Sequence, residues 1–200
     1  MKDNKTEELI KERAKVLYFS IGKLDATTQE IADFAGVKRT LVNYYFGSKH
    51  ELFEILLDEL RLAVHHLVRI IIITKDTVYQ KVAQIVDQFS IFMENHPFYN
   101  IFLINEINQC SEQKKKRNYK RALPELVDFF KELEAEMEKG NIPKMDPLNL
   151  YINIFALVSY PILMRPYYNE IFDVNQVKMD SIFTDRKNVI LNSIFINSTK

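Results

Sequence analysis

Apolar residues recur along this chain of 200 residues at the three- and four-residue spacing of α-helices. The first stripe consists of Ile10, Ala14, Leu17 and Ile21, which share one helical face. No segment alternates apolar and polar residues for long enough to indicate a strand. The pattern therefore predicts an all-α protein.

Capping residues and helix breakers divide this pattern into about nine helices. All four glycines fall at predicted helix ends, and all six prolines lie at or after Pro97, so the first half has nothing to interrupt long helices. Eight of the predicted helices span residues 6–21, 28–35, 39–45, 48–69, 78–94, 97–108, 147–164 and 180–197. The remaining helix starts or kinks at Pro124 and ends at residue 139.

The two short helices 28–35 and 39–45 have the features of a helix-turn-helix. Thr27 can cap the first of them, and Glu30 three residues later completes a capping box. Gly36 follows its end, where the backbone often needs a positive φ. A helix-turn-helix places its second helix in the major groove of DNA. The alternative is an ordinary helical hairpin in a core.

The N-terminal segment resembles the DNA-binding domain of tetracycline-repressor-type (TetR family) transcription regulators. The matching residues are Ala14, Leu17, Tyr18, Gly22, Thr27, Ile31, Ala32, Ala35, Gly36, Val37, Tyr44, Phe46, Ser48, Lys49 and Leu52. The resemblance implies a homodimer in which helix 39–45 reads DNA. It also implies a larger C-terminal domain that binds a small effector and pairs the subunits through its last two helices.

We therefore expect a helix-turn-helix domain over residues 1–48, a connecting helix over 49–76 and an effector-binding and dimerisation domain over 77–200. Asn43 is a departure from the family, which usually has a tyrosine there that contacts backbone phosphate. Asparagine can still bind phosphate or an adenine edge.

The charge pattern favours DNA binding only locally. The formal net charge is zero, which gives no general attraction to nucleic acid. Between Gly36 and His50, however, the chain carries three cations and no acidic residue. The candidate DNA-binding residues are Thr27, Thr28, Lys38, Arg39, Thr40, Leu41, Asn43, Tyr44, Tyr45 and Lys49, whereas Val42 faces inward by periodicity.

A second basic run follows the sixth predicted helix. It consists of Lys114, Lys115, Lys116, Arg117, Lys120 and Arg121. A run of like charge outside the helix-turn-helix is more typical of a solvated connector than of a DNA contact.

The C-terminal region is rich in aromatic residues, which can line a pocket for a largely apolar effector or simply form a helical core. The candidate ligand-binding residues are Phe89, Phe92, Phe102, Phe129, Tyr151 and Phe155.

Dimerisation is expected from the last two predicted helices, because the helix from Pro147 is apolar on more than one face. The final helix adds apolar residues near the C-terminus that a single chain is expected to expose. The candidate interface residues are Leu157, Ile190, Ile194 and Phe195.

This sequence lacks the residue patterns that are typical of several other functional classes. The lone Cys110 rules out an intrachain disulfide, and neither zinc-ligand spacing, a glycine-rich phosphate loop nor a nucleophile elbow is present. We expect no metal, no cofactor and no enzyme activity. The charged N-terminus is unlike a signal peptide, and the apolar stretch 150–164 is shorter than the roughly 20 residues of a membrane span. We therefore expect a cytoplasmic protein without membrane contact.

The function that fits these patterns is a repressor released from its double-stranded DNA operator by a small molecule. The alternative is a DNA-bound adaptor whose C-terminal domain recruits a protein partner without a small ligand. A deep apolar cavity would favour the repressor, and a filled core with a large exposed apolar patch would favour the adaptor.

Overall fold

The computed structural model describes residues 4–111, 124–172 and 175–196, and every regular element within them is helical. The all-α prediction is confirmed for this part of the chain. The helices are α1 (Asn4–Lys15, continued by a π-helical turn, Val16–Ser20), α2 (Thr28–Ala35), α3 (Arg39–Phe46), α4 (Lys49–Ile72), α5 (Val78–Asn95), α6 (Tyr99–Gln109), α7 (Pro124–Glu138), α8 (Pro147–Ile171), α9 (Gln176–Thr184) and α10 (Arg186–Ile194).

The last predicted helix is two helices in the structure. Asp185 separates α9 from α10 while keeping right-handed helical angles, with φ −80° and ψ −6°. Counted as one element, they bring the described helices to the predicted nine. The eighth helix is longer than predicted, since α8 continues past Met164 to Ile171.

The described chain divides into two compact units. The first unit contains the described residues up to Ala63 together with those from Asn95 to Ser111. The second unit contains Val64–Glu94 and the described residues from Pro124 onwards. These units differ from the boundaries expected from the sequence, because α6 belongs with the helix-turn-helix.

A cluster of four aromatic rings explains why α6 belongs to the first unit. Phe102 of α6 packs against Tyr18 and Phe19 of the π-helical turn and against Phe53 of α4. All six ring pairs among these residues have centroids between 5.2 and 6.2 Å apart. We call these four residues the first-unit aromatic cluster. Tilted and edge-to-face ring pairs add to the energy of burying the rings.

The backbone at the π-helical turn also contacts the start of α6. The amide of Phe98 donates to the carbonyl of Phe19 at 3.1 Å, and the Ser20 hydroxyl donates to the carbonyl of Asn95 at 2.6 Å. Gly22 ends the turn with φ +81°, and a Cβ there would lie 2.7 Å from the Phe98 ring. Glycine is therefore required at position 22 both by the backbone angle and by the close ring.

Charged residues join α1 to α4 on the surface of the first unit. The Nζ atoms of Lys11 and Lys15 lie 2.5 and 3.1 Å from the two carboxylate oxygens of Glu59. Burial acts to raise the pKa of Glu59, but the hydrogen bonds from both lysines outweigh it and lower the pKa. Glu59 therefore stays ionised and bridges the two lysines at neutral pH.

The second unit has its own aromatic and aliphatic core between α5, α7 and α8. Phe129 and Leu133 of α7 are fully buried, as is Ile154 of α8. Lys81 of α5 is also buried, at 2% exposure, and its Nζ lies 2.6 Å from the carboxylate of Glu132. A buried ammonium is tolerated only when it is paired in this way.

Two backbone hydrogen bonds close the turn between α2 and α3. Val37 N donates to Ala32 O at 2.9 Å, and Gly36 N donates to Asp33 O at 3.1 Å. This is the Schellman arrangement, which requires a left-handed residue after the helix. Gly36 has φ +67° and ψ 32°, so the predicted positive φ is confirmed.

Helix α8 contains Pro161 and Pro166 in its interior. Because proline has no amide hydrogen, the carbonyl of Leu157 one turn before Pro161 loses its usual helical donor. The guanidinium of Arg186 on α10 takes that place, with Nε and Nη2 at 3.3 and 3.2 Å from Leu157 O. A side chain from a neighbouring helix thus supplies the hydrogen bond that Pro161 cannot donate.

Replacing Gly36 tests the turn. Nothing lies within 4 Å of a Cβ at this position, so a side chain there makes no steric clash with neighbouring residues. The energetic cost of a substitution comes only from the positive φ. We expect Gly36→Val to lower the free energy of unfolding by at least about 1–2 kcal/mol. Gly36→Asn, which adds a side chain that tolerates left-handed angles, should lose much less. Urea unfolding of both variants checks this, and equal losses would contradict it.

A double-mutant cycle tests the repair of α8. Arg186→Met should lower the free energy of unfolding by about 1–3 kcal/mol, because the Leu157 carbonyl is left without its charged donor. In the Pro161→Ala background an amide is again available, so the same change should cost clearly less. Arg165→Met is the control, because Arg165 pairs with Asp180 and with no freed carbonyl. Its cost should be the same in both backgrounds.

Candidate nucleic-acid interface

The start of α2 is held by the predicted capping box. Glu30 N donates to the Thr27 hydroxyl at 3.2 Å, and Thr27 N donates to the Glu30 carboxylate at 2.8 Å, so the prediction is confirmed. Lys23 also bonds to Glu30. Hydrogen bonds from Lys23 and then from Thr27 lower the pKa of Glu30 to about 2. The carboxylate of the box therefore keeps its charge in acidic solution as well.

Helix α3 has a buried face and an exposed face. Val42 is fully buried and Phe46 nearly so, which fixes the helix on α2 and confirms that Val42 faces inward. The opposite face presents the exposed Lys38, Arg39, Thr40, Asn43 and Tyr44. The side chains of Leu41 and Tyr45 are half-buried.

The beginning of α3 is unlike that of α2. Lys38 occupies the cap position without a side-chain cap hydrogen bond, and Arg39 follows as the first helical residue. The positive end of the helix dipole thus lies beside two cations, with no acidic residue in the first turn. This end of the helix has the charge that suits a phosphate backbone.

Helix α4 begins next to the same surface. Ser48 and Glu51 form the predicted cap, with Glu51 N donating to the Ser48 hydroxyl at 3.1 Å and that hydroxyl donating to the Glu51 carboxylate at 3.1 Å. The Lys49 ammonium donates to the carbonyl of Ala26 at 3.2 Å. Lys49 is therefore placed beside the loop that leads into Thr27 and Thr28, two further predicted contacts.

The structure thus places the predicted DNA-binding residues at the starts of α2 and α4 and along α3. Sequence reasoning missed the contribution of Ala26, whose carbonyl positions Lys49, because a backbone acceptor has no sequence signal. It also missed Lys23, whose hydrogen bond lowers the pKa of Glu30. The basic run 114–121 lies outside the described residues.

The residues predicted to bind an effector do not form one group. Phe102 belongs to the first-unit aromatic cluster, whereas the other five lie in the second unit. In the second unit, Phe155 packs with ring centroids 4.6 Å from Phe89 and 4.7 Å from Tyr151, and Phe129 is fully buried. The aromatic residues there pack against one another as a core.

Open space lies elsewhere in each unit. In the second unit a cavity of about 320 Å³ is lined by Tyr160, Pro161, Tyr168, Phe172, Met179, Ile182, Phe183 and Arg186. In the first unit a cavity of about 360 Å³ is lined by Tyr18, Leu24, Lys49, His50, Phe53, Ile101, Phe102, Asn105, Glu106 and Gln109. Of the six predicted ligand-binding residues, Phe102 alone is among these lining residues.

The expectation that a single chain exposes Ile190, Ile194 and Phe195 is wrong. All three are buried within their own unit, and the Phe195 ring lies 5.0 Å from that of Tyr79 on α5. Leu157, the fourth predicted interface residue, is half-buried. These side chains are therefore part of the core of one chain.

A different set of apolar residues is exposed on α8. Ile152, Tyr160, Tyr167 and Ile171 each show about half of their surface to solvent. Their spacing of eight, seven and four residues places them along one helical stripe, which we call the α8 stripe. Exposed apolar residues continue after α8 with Phe172, Val177, Ile182 and Val189.

By length and composition, α8 could cross a membrane. This differs from the prediction, which took the apolar stretch to end at Met164. Leu150, Ile154 and Val158 are nevertheless buried in the second unit, and Arg165 pairs with Asp180. Within the described ranges, no group of three or more His, Cys, Asp or Glu side chains could hold a metal ion.

Comparison with known proteins agrees with this geometry. Residues 10–56 match the family model described as bacterial regulatory proteins, tetR family. A search of curated proteins finds no match.

Solved structures share the fold over nearly the whole chain. The ketosteroid transcriptional regulator KstR2 of Mycobacterium tuberculosis is 16% identical with a TM-score of 0.62, over 98% of this chain and 97% of that one. A TetR-family regulator from Haemophilus influenzae is 12% identical with a TM-score of 0.57, over 96% and 97% of the two chains. The TetR-family regulator PfmR from Thermus thermophilus is 16% identical with a TM-score of 0.59, over 96% and 97%.

The capped helix-turn-helix and the exposed face of α3 lie within residues 10–56, which match the family model. This part of the chain is similar to the DNA-binding domain of the bacterial tetR-family regulators, and the solved structures share the fold of nearly the whole chain.

Proposed function

We propose that this protein is a repressor that binds operator DNA as a homodimer and leaves it when a small molecule binds. The observation that carries the proposal is the exposed face of α3, which is fixed by Val42 and Phe46 and flanked by cations at the starts of α3 and α4. A recognition helix needs a buried side that fixes its position and an exposed polar side that contacts base edges in the major groove, and α3 has both.

The contacts divide by chemistry. Arg39 can bind the edge of a guanine and Tyr44 can reach bases or phosphates from the middle of α3. Lys49 can reach a phosphate once it leaves the Ala26 carbonyl, and Thr27 and Thr28 lie next to it. Two copies of α3 in successive major grooves would lie about 34–36 Å apart on a near-palindromic operator.

The α8 stripe is the surface that supports a homodimer. The exposed apolar residues of the stripe share one helical face, and Phe172 and Val177, which follow α8, are exposed as well. A second copy of the same stripe, related by a two-fold axis, would cover it. The interface would need to bury more than about 1,200 Å² to hold a stable dimer.

The cavity of the second unit supports a small-molecule effector. Its walls are mostly aromatic and aliphatic, with the Arg186 guanidinium and two tyrosines as the polar groups. Tyr160 belongs both to this cavity and to the α8 stripe, so a ligand there would act directly on the dimer face. A coupling of about 1–3 kcal/mol would change operator affinity 5- to 150-fold.

A DNA-bound adaptor is the second candidate function. The α8 stripe favours it as well, because the same apolar surface could hold a different protein. The two functions differ in whether a second copy covers the stripe in the purified protein.

Selection of genomic fragments bound by the purified protein tests the proposal as a whole. We expect a small set of near-palindromic fragments, and their placement ahead of a reporter gene should reduce transcription. Compounds processed by the products of the neighbouring genes are then the first to test for release. Recovery of unrelated fragments only would contradict the proposal.

Substitutions on the DNA face should have separable effects. Lys49→Ala should weaken binding to all duplexes about equally and reduce the slope of log affinity against log salt by about one unit. Arg39→Ala should cost about 1–3 kcal/mol on the selected fragment and less on other duplexes. Lys75→Ala is the control, because Lys75 is exposed in the second unit. If both Arg39→Ala and Lys49→Ala bind DNA with wild-type affinity, this face does not read the operator.

Charge placed on the α8 stripe should separate the subunits. We expect the wild-type protein to sediment as a dimer at micromolar concentration, and Ile152→Glu with Tyr167→Glu to sediment as a monomer and lose operator binding. Val127→Glu is the matched control, since Val127 of α7 is 56% exposed and lies outside the stripe. A monomeric wild-type protein would contradict the dimer and favour the adaptor.

A further inference from the structure

The cavity of the first unit is separate from the effector cavity described above. The π-helical turn contributes Tyr18 to it, the start of α4 contributes Lys49, His50 and Phe53, and α6 contributes most of the remaining wall. Its volume of about 360 Å³ lies at the lower end of the range of ligand pockets, which is about 300–1,000 Å³. The space suits a small molecule rather than a peptide.

Three rings of the first-unit aromatic cluster form the apolar part of the wall. Tyr18 lies 5.2 Å from Phe53 and 5.9 Å from Phe102, measured between ring centroids, and Phe53 lies 5.4 Å from Phe102. The rings support one another, so the wall is formed before any ligand arrives. A flat or short aliphatic body can pack against it.

Tyr18 also brings an unused polar group to the cavity. The residue is 3% exposed, yet its hydroxyl makes no hydrogen bond to any residue in the described ranges. That oxygen is not among the sealed polar atoms that lack a partner, so it still meets open space. Burial raises the pKa of Tyr18 to about 12, which keeps the hydroxyl protonated and able to donate. Because the hydroxyl faces open space and has no partner within the described residues, it can donate to an acceptor on a ligand.

The charges on the rim indicate what kind of acceptor fits. Lys49 presents an ammonium whose acceptor is the neutral carbonyl of Ala26, and it stands on the first turn of α4. A ligand carboxylate would be a stronger partner than that carbonyl. Glu106 also lines the cavity, with its carboxylate accepting from the Cys110 thiol at 3.0 Å, and it disfavours a second negative charge.

We infer that this cavity binds a small aromatic or aliphatic monocarboxylate, with the body on the Tyr18–Phe53–Phe102 wall and the carboxylate between the Tyr18 hydroxyl and Lys49. The site opposes DNA binding, because a bound carboxylate neutralises the Lys49 ammonium and repels a phosphate next to it. The effect on DNA rests on the proposed function, whereas the binding of the acid does not.

Calorimetry with phenylacetate as the probe tests the site. We expect the wild-type protein to bind phenylacetate at least about tenfold more tightly than phenylacetamide, since the charged acceptor makes the stronger bond. Tyr18→Phe should weaken phenylacetate binding about fivefold while leaving the fold intact, because the hydroxyl has no partner to lose within the described chain. Lys49→Gln should remove the preference for the acid over the amide. Tighter binding of phenethylamine than of phenylacetate would overturn the assignment.

A matched pair of variants locates the binding. Asn105 lines the rim and Asn108 does not, although both are exposed on α6. We expect Asn105→Trp to abolish phenylacetate binding and Asn108→Trp to leave it unchanged. Undiminished binding in Asn105→Trp, or no heat with the wild-type protein, would overturn the inference.

The same two variants connect the site to DNA. Saturating phenylacetate should weaken binding to the selected genomic fragment in the wild-type and Asn108→Trp proteins but not in Asn105→Trp, with equal binding of all three in its absence. Phenylacetate bound at the site with no change in DNA affinity would overturn the antagonism. Phenylacetate binding by a protein that retains no DNA fragment would instead contradict the proposed function and leave the site standing.

Discussion

The contact of Phe102 with Tyr18, Phe19 and Phe53 is the interaction on which the first unit depends. It joins α6 to helices that lie far earlier in the chain, and it does so by ring packing rather than by charge. Because the cluster includes the π-helical turn and α4, the same rings support the starts of the helices that face DNA. The helix-turn-helix has its own core, in which Ile31, Val42 and Leu56 are fully buried, and the aromatic cluster adds buried apolar area to it.

The features that the sequence predicted well are those decided within a few residues. Thr27 with Glu30, Ser48 with Glu51 and the turn at Gly36 are local arrangements, and each has the geometry expected from its spacing. The starts of α2, α3 and α4 therefore follow from the sequence. The exposed and buried faces of α3 follow from the same short periodicity.

The features that were missed depend on distant partners. Ile190 and Ile194 are apolar in a short final helix, which the sequence alone cannot distinguish from an interface, and only the packing of α10 in its own unit shows that they are core. Phe102 is an apolar aromatic residue like Phe155, so the sequence alone suggests one pocket for both, although the two belong to different units. The bond from Arg186 to the Leu157 carbonyl follows from a missing amide at Pro161, and no pattern indicates which side chain supplies the donor.

The bond between the Phe98 amide and the Phe19 carbonyl gives this molecule a built-in probe. At 3.1 Å it holds the residue just before α6 to the π-helical turn. An amide bound in this way exchanges with deuterated solvent only when the contact opens. The protection of that single proton would therefore measure how often α6 separates from the turn, and any occupant of the neighbouring cavity that holds Tyr18 should slow its exchange.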